Sequence, residues 1–122
     1  MKRAILLVDH GSRRAEANAL LDDVADQVRK RATDAIVEVA HLEIAEPDIA
    51  AGIDTCVAKG ASQIVVHPYF LGPGRHTSED IPAQVARARE RHADVQIRIS
   101  EPLGGHAALI DVILERVSEA DL

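Results

Sequence analysis

AILLVDHGSRRAEANALLDDVADQV, residues 4–28, carries two periods in one short stretch. Ala4 to Val8 form an unbroken aliphatic run of strand length, and Ala17, Leu20, Leu21, Val24 and Val28 then recur at helical spacing, with Ala32 continuing the face. A strand with one wet face would alternate, whereas a strand covered on both faces is apolar throughout. The segment DHGSRR between them therefore joins a buried strand to a surface helix.

The unit repeats. IVEVAHL (36–42), QIVVHPYF (63–70) and VQIRIS (95–100) read as strands, being short and rich in Val and Ile. The helical faces between and after them are Ile49, Ile53, Cys56 and Val57; Ile81, Val85 and Ala88; and Leu109, Ile110, Ile113 and Val117. Pro47 suits the first turn of the second helix and Lys59-Gly60 its stop, while Thr77 or Ser78 is placed to cap the third, with Glu79 and Asp80 at its positive end. The order βαβαβαβα, joined by right-handed crossovers, predicts a single α/β domain over residues 1–122: a four-stranded parallel sheet with helices on both faces, a three-layer α/β/α arrangement.

Composition narrows the function. The 122 residues are 47% hydrophobic but only 2% aromatic, with no Trp, so the core is aliphatic and base-stacking platforms are nearly excluded. A net charge of -6 repels polyanions, which disfavours nucleic acid and anionic membrane as partners. Cys56 is the single cysteine and falls on an apolar helical face, so packing is the better reading and no internal disulfide forms. The five-residue apolar run near the start is too short for a signal peptide or a membrane span, and a cytoplasmic protein is expected; a targeting extension ahead of this sequence stays open.

In an open parallel sheet the ligand crevice lies beyond the carboxyl ends of the strands. That rule selects DHGSRR, EIAEP, GPGRHTSED and EPLGGHAA, which contribute His10, Glu43, Glu46, His76, Glu101 and His106. Two imidazoles and a carboxylate suit a divalent first-row metal, and three protein ligands leave positions open for exchange. The plainer readings stand beside this one: His10 bonded to its own loop, and His76 solvated in a turn. His41 and His67 lie within strands and read as satisfied core or edge residues, and His92 complements a helix terminus. His106 is open between pocket and helix start. Arg13, Arg14 and Arg75 place guanidinium groups in crevice loops of an acidic chain, where they would fork to carboxylates or phosphates, although Arg14 also fits a solvated helix. Ser12 has His10 and Asp9 nearby but no G-x-S-x-G elbow, and neither a P-loop nor a G-x-G-x-x-G is present. An Arg-His-Gly phosphatase signature is also missing, since Asp9 precedes His10.

VDHGSRRAEAN, HLEIAEP, HPYFLGPGRHTSEDIP and PLGGH, in this order, resemble the sirohydrochlorin chelatases, the class II chelatase family, across essentially the full chain. The resemblance is to the small, single-domain ferrochelatases of sirohaem synthesis and the cobaltochelatases of cobalamin synthesis. It implies a chelatase-like, flavodoxin-like relative of the doubly wound folds. The implied reaction is insertion of Fe2+, Co2+ or Ni2+ into sirohydrochlorin without ATP and with no tightly bound cofactor. His10 and His76 match the family's metal-binding histidines, His10 also taking pyrrole protons, and Glu43 matches a third ligand or proton acceptor. Glu46 matches a macrocycle contact, and Leu71, Gly72, Pro73, Gly74, Arg75 and His76 match the substrate-binding loop. Arg13, Arg75 and backbone N–H groups near Thr77 and Ser78 are expected to hold the peripheral carboxylates, an anion site at a helix start, and Ser12 is a further substrate-binding candidate. A homodimer is implied. Two other readings remain: a tetrapyrrole or metal carrier without turnover, and a phosphoryl-transfer enzyme using His10 as nucleophile.

Overall fold

The computed structural model describes residues 2–72, 74 and 79–120. Four strand–helix units follow one another: β1 (Arg3–Asp9), α1 (Ala15–Arg31), β2 (Ile36–His41), α2 (Ile49–Ala58), β3 (Gln63–Pro68), α3 (Ile81–Arg91), β4 (Gln96–Ile99) and α4 (Ala107–Glu119). All neighbouring strands are parallel, in the order β2-β1-β3-β4. The chain runs outward from β1 to β2, crosses back to β3 on the other side of β1, and continues to β4. Its winding therefore reverses between β1 and β3, where a doubly wound sheet opens its ligand crevice.

The core has two layers because strand side chains alternate between faces. Ala4, Leu6 and Val8 of β1, with Ala40, Ile64, Val66 and Ile97, meet Ile49, Ile53 and Cys56 of α2 and Ile81, Val85 and Ala88 of α3. Leu7 and Val37 point the other way, onto Leu21 and Ala25 of α1. Burial pushes the Cys56 thiol up to about 12, as befits a packing residue rather than a reactive one. Asp48 caps α2 by accepting from the Ala51 N–H at 2.8 Å, so Pro47 precedes the cap instead of occupying the first turn. The helix stops at Lys59 and Gly60 as expected: the Gly60 and Ala61 N–H groups donate to the Val57 and Cys56 carbonyls at 2.9 and 3.1 Å, a paired-bond C-terminal motif.

Three further expectations need correction. Tyr69 and Phe70 lie beyond β3: the Tyr69 N–H still donates to Val8 (2.7 Å), but that of Phe70 turns back to Pro68 (2.9 Å). Leu20 is exposed, and α1 instead buries Leu21 and Ala25, backed by Val24 and Val28. The largest departure is α4, whose apolar stripe of Ile110, Ile113, Leu114 and Val117 faces outward, with no residue of the helix buried.

The β3 face turned away from α2 and α3 is only half-covered, and it carries His67, whose Nδ1 lies 2.8 Å from Ser100 Oγ. Desolvation lowers the pKa of His67 from its ordinary value. As pH falls below about 6.5, the unfolded chain takes up a proton there before the folded chain does, so folding stability drops with pH in that window. Urea midpoints of wild type at about pH 7.5 and about pH 5.5 should therefore differ by more than those of His67→Gln. Equal pH sensitivity of the two proteins would contradict the assignment.

Candidate active site

β1 ends at Asp9, and two backbone bonds prolong its pairing with the segment after β2: the Leu42 N–H donates to the Asp9 carbonyl (2.9 Å) and the Glu43 N–H to the His10 carbonyl (3.1 Å). These bonds set the two side chains next to one another, His10 Nε2 at 2.9 Å from Glu43 Oε1, with 44% and 49% of each side chain exposed. A half-exposed imidazole–carboxylate pair can both accept protons and donate to a metal, and it stays reachable by a ligand.

Gly11 makes the approach possible. Its φ is +95°, and a Cβ there would stand 1.9 Å from the Glu43 carbonyl oxygen. The next turn is tied to α1 by Asn18, whose side-chain amide accepts from the Ser12 N–H (2.9 Å) and donates to the Ser12 carbonyl (2.7 Å). Ser12 Oγ accepts from the Arg14 N–H at 3.0 Å, and Arg14 is the residue that precedes α1. Arg13 is exposed in this loop.

Behind the pair, His41 Nδ1 lies 2.5 Å from Asp9 Oδ1. The carboxylate accepts, so Nδ1 carries the proton. His41 is buried, and the two residues are partners on the last rung of the β1–β2 ladder. This confirms His41 as a satisfied core histidine and adds Asp9 and Asn18, whose positioning roles the sequence reading did not identify. A strand-end signal existed: Asp9 and His41 close two adjacent runs.

Leu71, Gly72 and Gly74 are exposed after β3, on the other side of β1 from Glu43. The backbone of this segment is anchored by the loop after β4: the Leu103 N–H donates to the Phe70 carbonyl (2.9 Å), and Gly104 packs so closely that a Cβ would lie 1.4 Å from the Leu71 oxygen. Pro73, Arg75, His76, Thr77 and Ser78 lie outside the described residues. Among the described residues no group of three or more His, Cys, Asp or Glu side chains is arranged to hold a metal.

Glu46 is exposed and lines an open cleft of about 570 Å³ with Pro47, Asp48 and Ala51. A smaller cavity of about 140 Å³, lined by Arg3, Gln63 and Arg98 among others, sits at the opposite end of the sheet and includes none of the candidate residues. His106 is resolved as a cap: its Nδ1 accepts from the Ala108 N–H at 3.0 Å at the start of α4. His92 ends α3 but also reaches across to α2, Nε2 lying 2.8 Å from Asp54 Oδ1 beside Arg91 at 2.7 Å. Hydrogen bonds from His92, then Arg91, hold the Asp54 carboxyl below its ordinary range. Among the described residues no helix is long and apolar enough to cross a membrane.

An imidazole–carboxylate pair thus stands at the carboxyl edge of an open parallel α/β sheet, across β1 and β2 and beside the β1–β3 crevice where such sheets bind ligands. The CbiX family model matches residues 4–120, and the chain belongs to that family. It is 42% identical over 113 residues to the chloroplastic sirohydrochlorin ferrochelatase of Arabidopsis thaliana, a match covering 93% of this chain and 50% of that protein. It is 31% identical over 137 residues to the sirohydrochlorin cobaltochelatase of Methanocaldococcus jannaschii, covering 93% and 96%. The sirohydrochlorin chelatase SirB from Bacillus subtilis subspecies spizizenii, solved in complex with cobalt, superposes with a TM-score of 0.90 at 32% identity, over 98% of this chain and 51% of that one. The chain thus spans about half the length of several relatives it matches.

Proposed function

We propose that the protein is a sirohydrochlorin chelatase, a lyase-class enzyme inserting Fe2+, Co2+ or Ni2+ into the tetrapyrrole without ATP, in sirohaem or cobalamin biosynthesis. The observation that carries this reading is the His10–Glu43 pair, 2.9 Å apart and half exposed at the carboxyl edge of β1 and β2, beside the β1–β3 crevice. Family membership and the activities named for its relatives support it.

Metalation exchanges two pyrrole N–H protons for one divalent cation, and the cation must shed waters as it enters the ring. The site therefore needs proton acceptors and ligands that let go. The His10 imidazole and the Glu43 carboxylate beside it are the groups proposed to take the pyrrole protons and to bind the metal. His76, which follows β3 in the chain, is proposed as the second metal-binding histidine. Ser12, Arg13, Arg75 and Thr77, with Leu71, Gly72, Pro73 and Gly74 of the same loop, hold the ring and its carboxylates, and Glu46 contacts the macrocycle from the β2 side.

The proposal extends to a cytoplasmic homodimer of a single domain over residues 1–122. The outward stripe of Ile110, Ile113, Leu114 and Val117 on α4 supports it, because spacing at i, i+3, i+4 and i+7 is that of a buried helix face. Sedimentation should give twice the chain mass, and a monomer at micromolar concentration would overturn this part. Chelation itself is tested by mixing protein with sirohydrochlorin and each metal in turn, following the absorption change against a control without protein. Acceleration with at least one metal is expected, and none with any metal would end the chelatase reading.

A further inference from the structure

We propose that Ile44 is a substrate-positioning residue, held beside Glu43 in an unfavourable backbone conformation so that its apolar side chain meets the face of the macrocycle; this rests on the chelatase reading above. Ile44 has φ +75°, the one non-glycine residue with positive φ among those described. The Ala45 N–H donates to the Glu43 carbonyl at 2.8 Å, so residues 43–45 form a γ-turn of positive φ with Ile44 at its apex. β-branched side chains almost never occupy this region, and glycine or asparagine would fit the same turn with less strain. Strain of this kind persists where the surroundings fix it, and it gathers at ligand-binding sites.

Packing within the chain does not account for the side chain, which is 61% exposed. Leu71 is 73% exposed and belongs to the loop after β3, whereas Ile44 belongs to the loop after β2. β1 runs between those strands and carries His10 at its carboxyl end. Two strand spacings, about 10 Å, separate β2 from β3, so the loops that carry these two exposed apolar residues flank the one that carries His10, across a span that a planar ring can bridge. The Leu71 backbone is backed by Gly104, and the Ile44 turn is fixed through Glu43, whose N–H donates to His10 and whose carbonyl accepts from Ala45. Both apolar contacts are thus preorganised around the group that handles metal and proton.

The test titrates metal-free sirohydrochlorin into wild type, Ile44→Asn, Ile44→Gly and Ile44→Val, and measures kcat and KM for metalation. Asn and Gly relieve the turn, so thermal midpoints should hold or rise, while Kd and KM increase about tenfold and kcat stays within about twofold. Val keeps the apolar branch and should bind nearly as wild type does. A purely structural role, acting by loosening Glu43, would lower kcat and leave Kd little changed. Unchanged Kd in both Asn and Gly variants of an active enzyme would overturn the role of Ile44 alone. Wild type that neither binds nor metallates sirohydrochlorin would instead overturn the chelatase reading, and this role with it.

Discussion

His10→Ala should slow metal insertion about 10²–10⁴-fold, the range by which a positioned acid–base group contributes to catalysis. The loss should fall on kcat, because His10 Nε2 faces Glu43 and solvent and contributes little to the packed core. Far-ultraviolet circular dichroism and the thermal midpoint should stay near those of wild type. The Glu43 N–H bond to residue 10 uses the backbone carbonyl, which alanine retains, so the loop geometry survives the substitution. A rate within about threefold of wild type would show that the imidazole neither ligates nor moves protons in the rate-limiting step.

Gly11→Ala should disable the same centre by a different route. The added methyl would stand 1.9 Å from the Glu43 carbonyl oxygen in a backbone with φ +95°, so the loops after β1 and β2 must separate. The conformational part alone costs about 1–3 kcal/mol of folding stability. Displacing a catalytic group by about 1 Å costs on the order of 100-fold in rate. Thermal denaturation and the metalation assay together check this, and a variant as stable and as active as wild type would mean that the close approach does not position the pair.

Most of the fold was legible because it rests on periodicity. The aliphatic runs at 4–8, 36–42, 63–70 and 95–100 each hold one strand, although Leu42, Tyr69, Phe70, Val95 and Ser100 fall outside it. Helix faces were less legible. Leu20 and the α4 stripe satisfy helical spacing, yet spacing specifies only that a face is apolar and not what covers it. Within the site, the topology rule brought His10 and Glu43 to one edge, and the continued β1–β2 pairing places them in contact. His106 fits the same rule but became a helix cap, because an imidazole directly before a helix has an unpaired N–H within reach. Ile44 was not legible at all: a positive φ on a β-branched residue contradicts local propensity, and nothing in the one-dimensional pattern signals it.

The proposed turnover of sirohydrochlorin at the His10–Glu43 edge can be counted directly. The most direct measurement supplies sirohydrochlorin and Co(II) in large excess over protein and counts metallated product per chain as a function of time, for wild type and His10→Ala. Wild type should continue well beyond one product per chain at a rate above the protein-free control, and His10→Ala should fall toward that control. Product formation that stops at one equivalent, or that proceeds equally in both proteins, would contradict it.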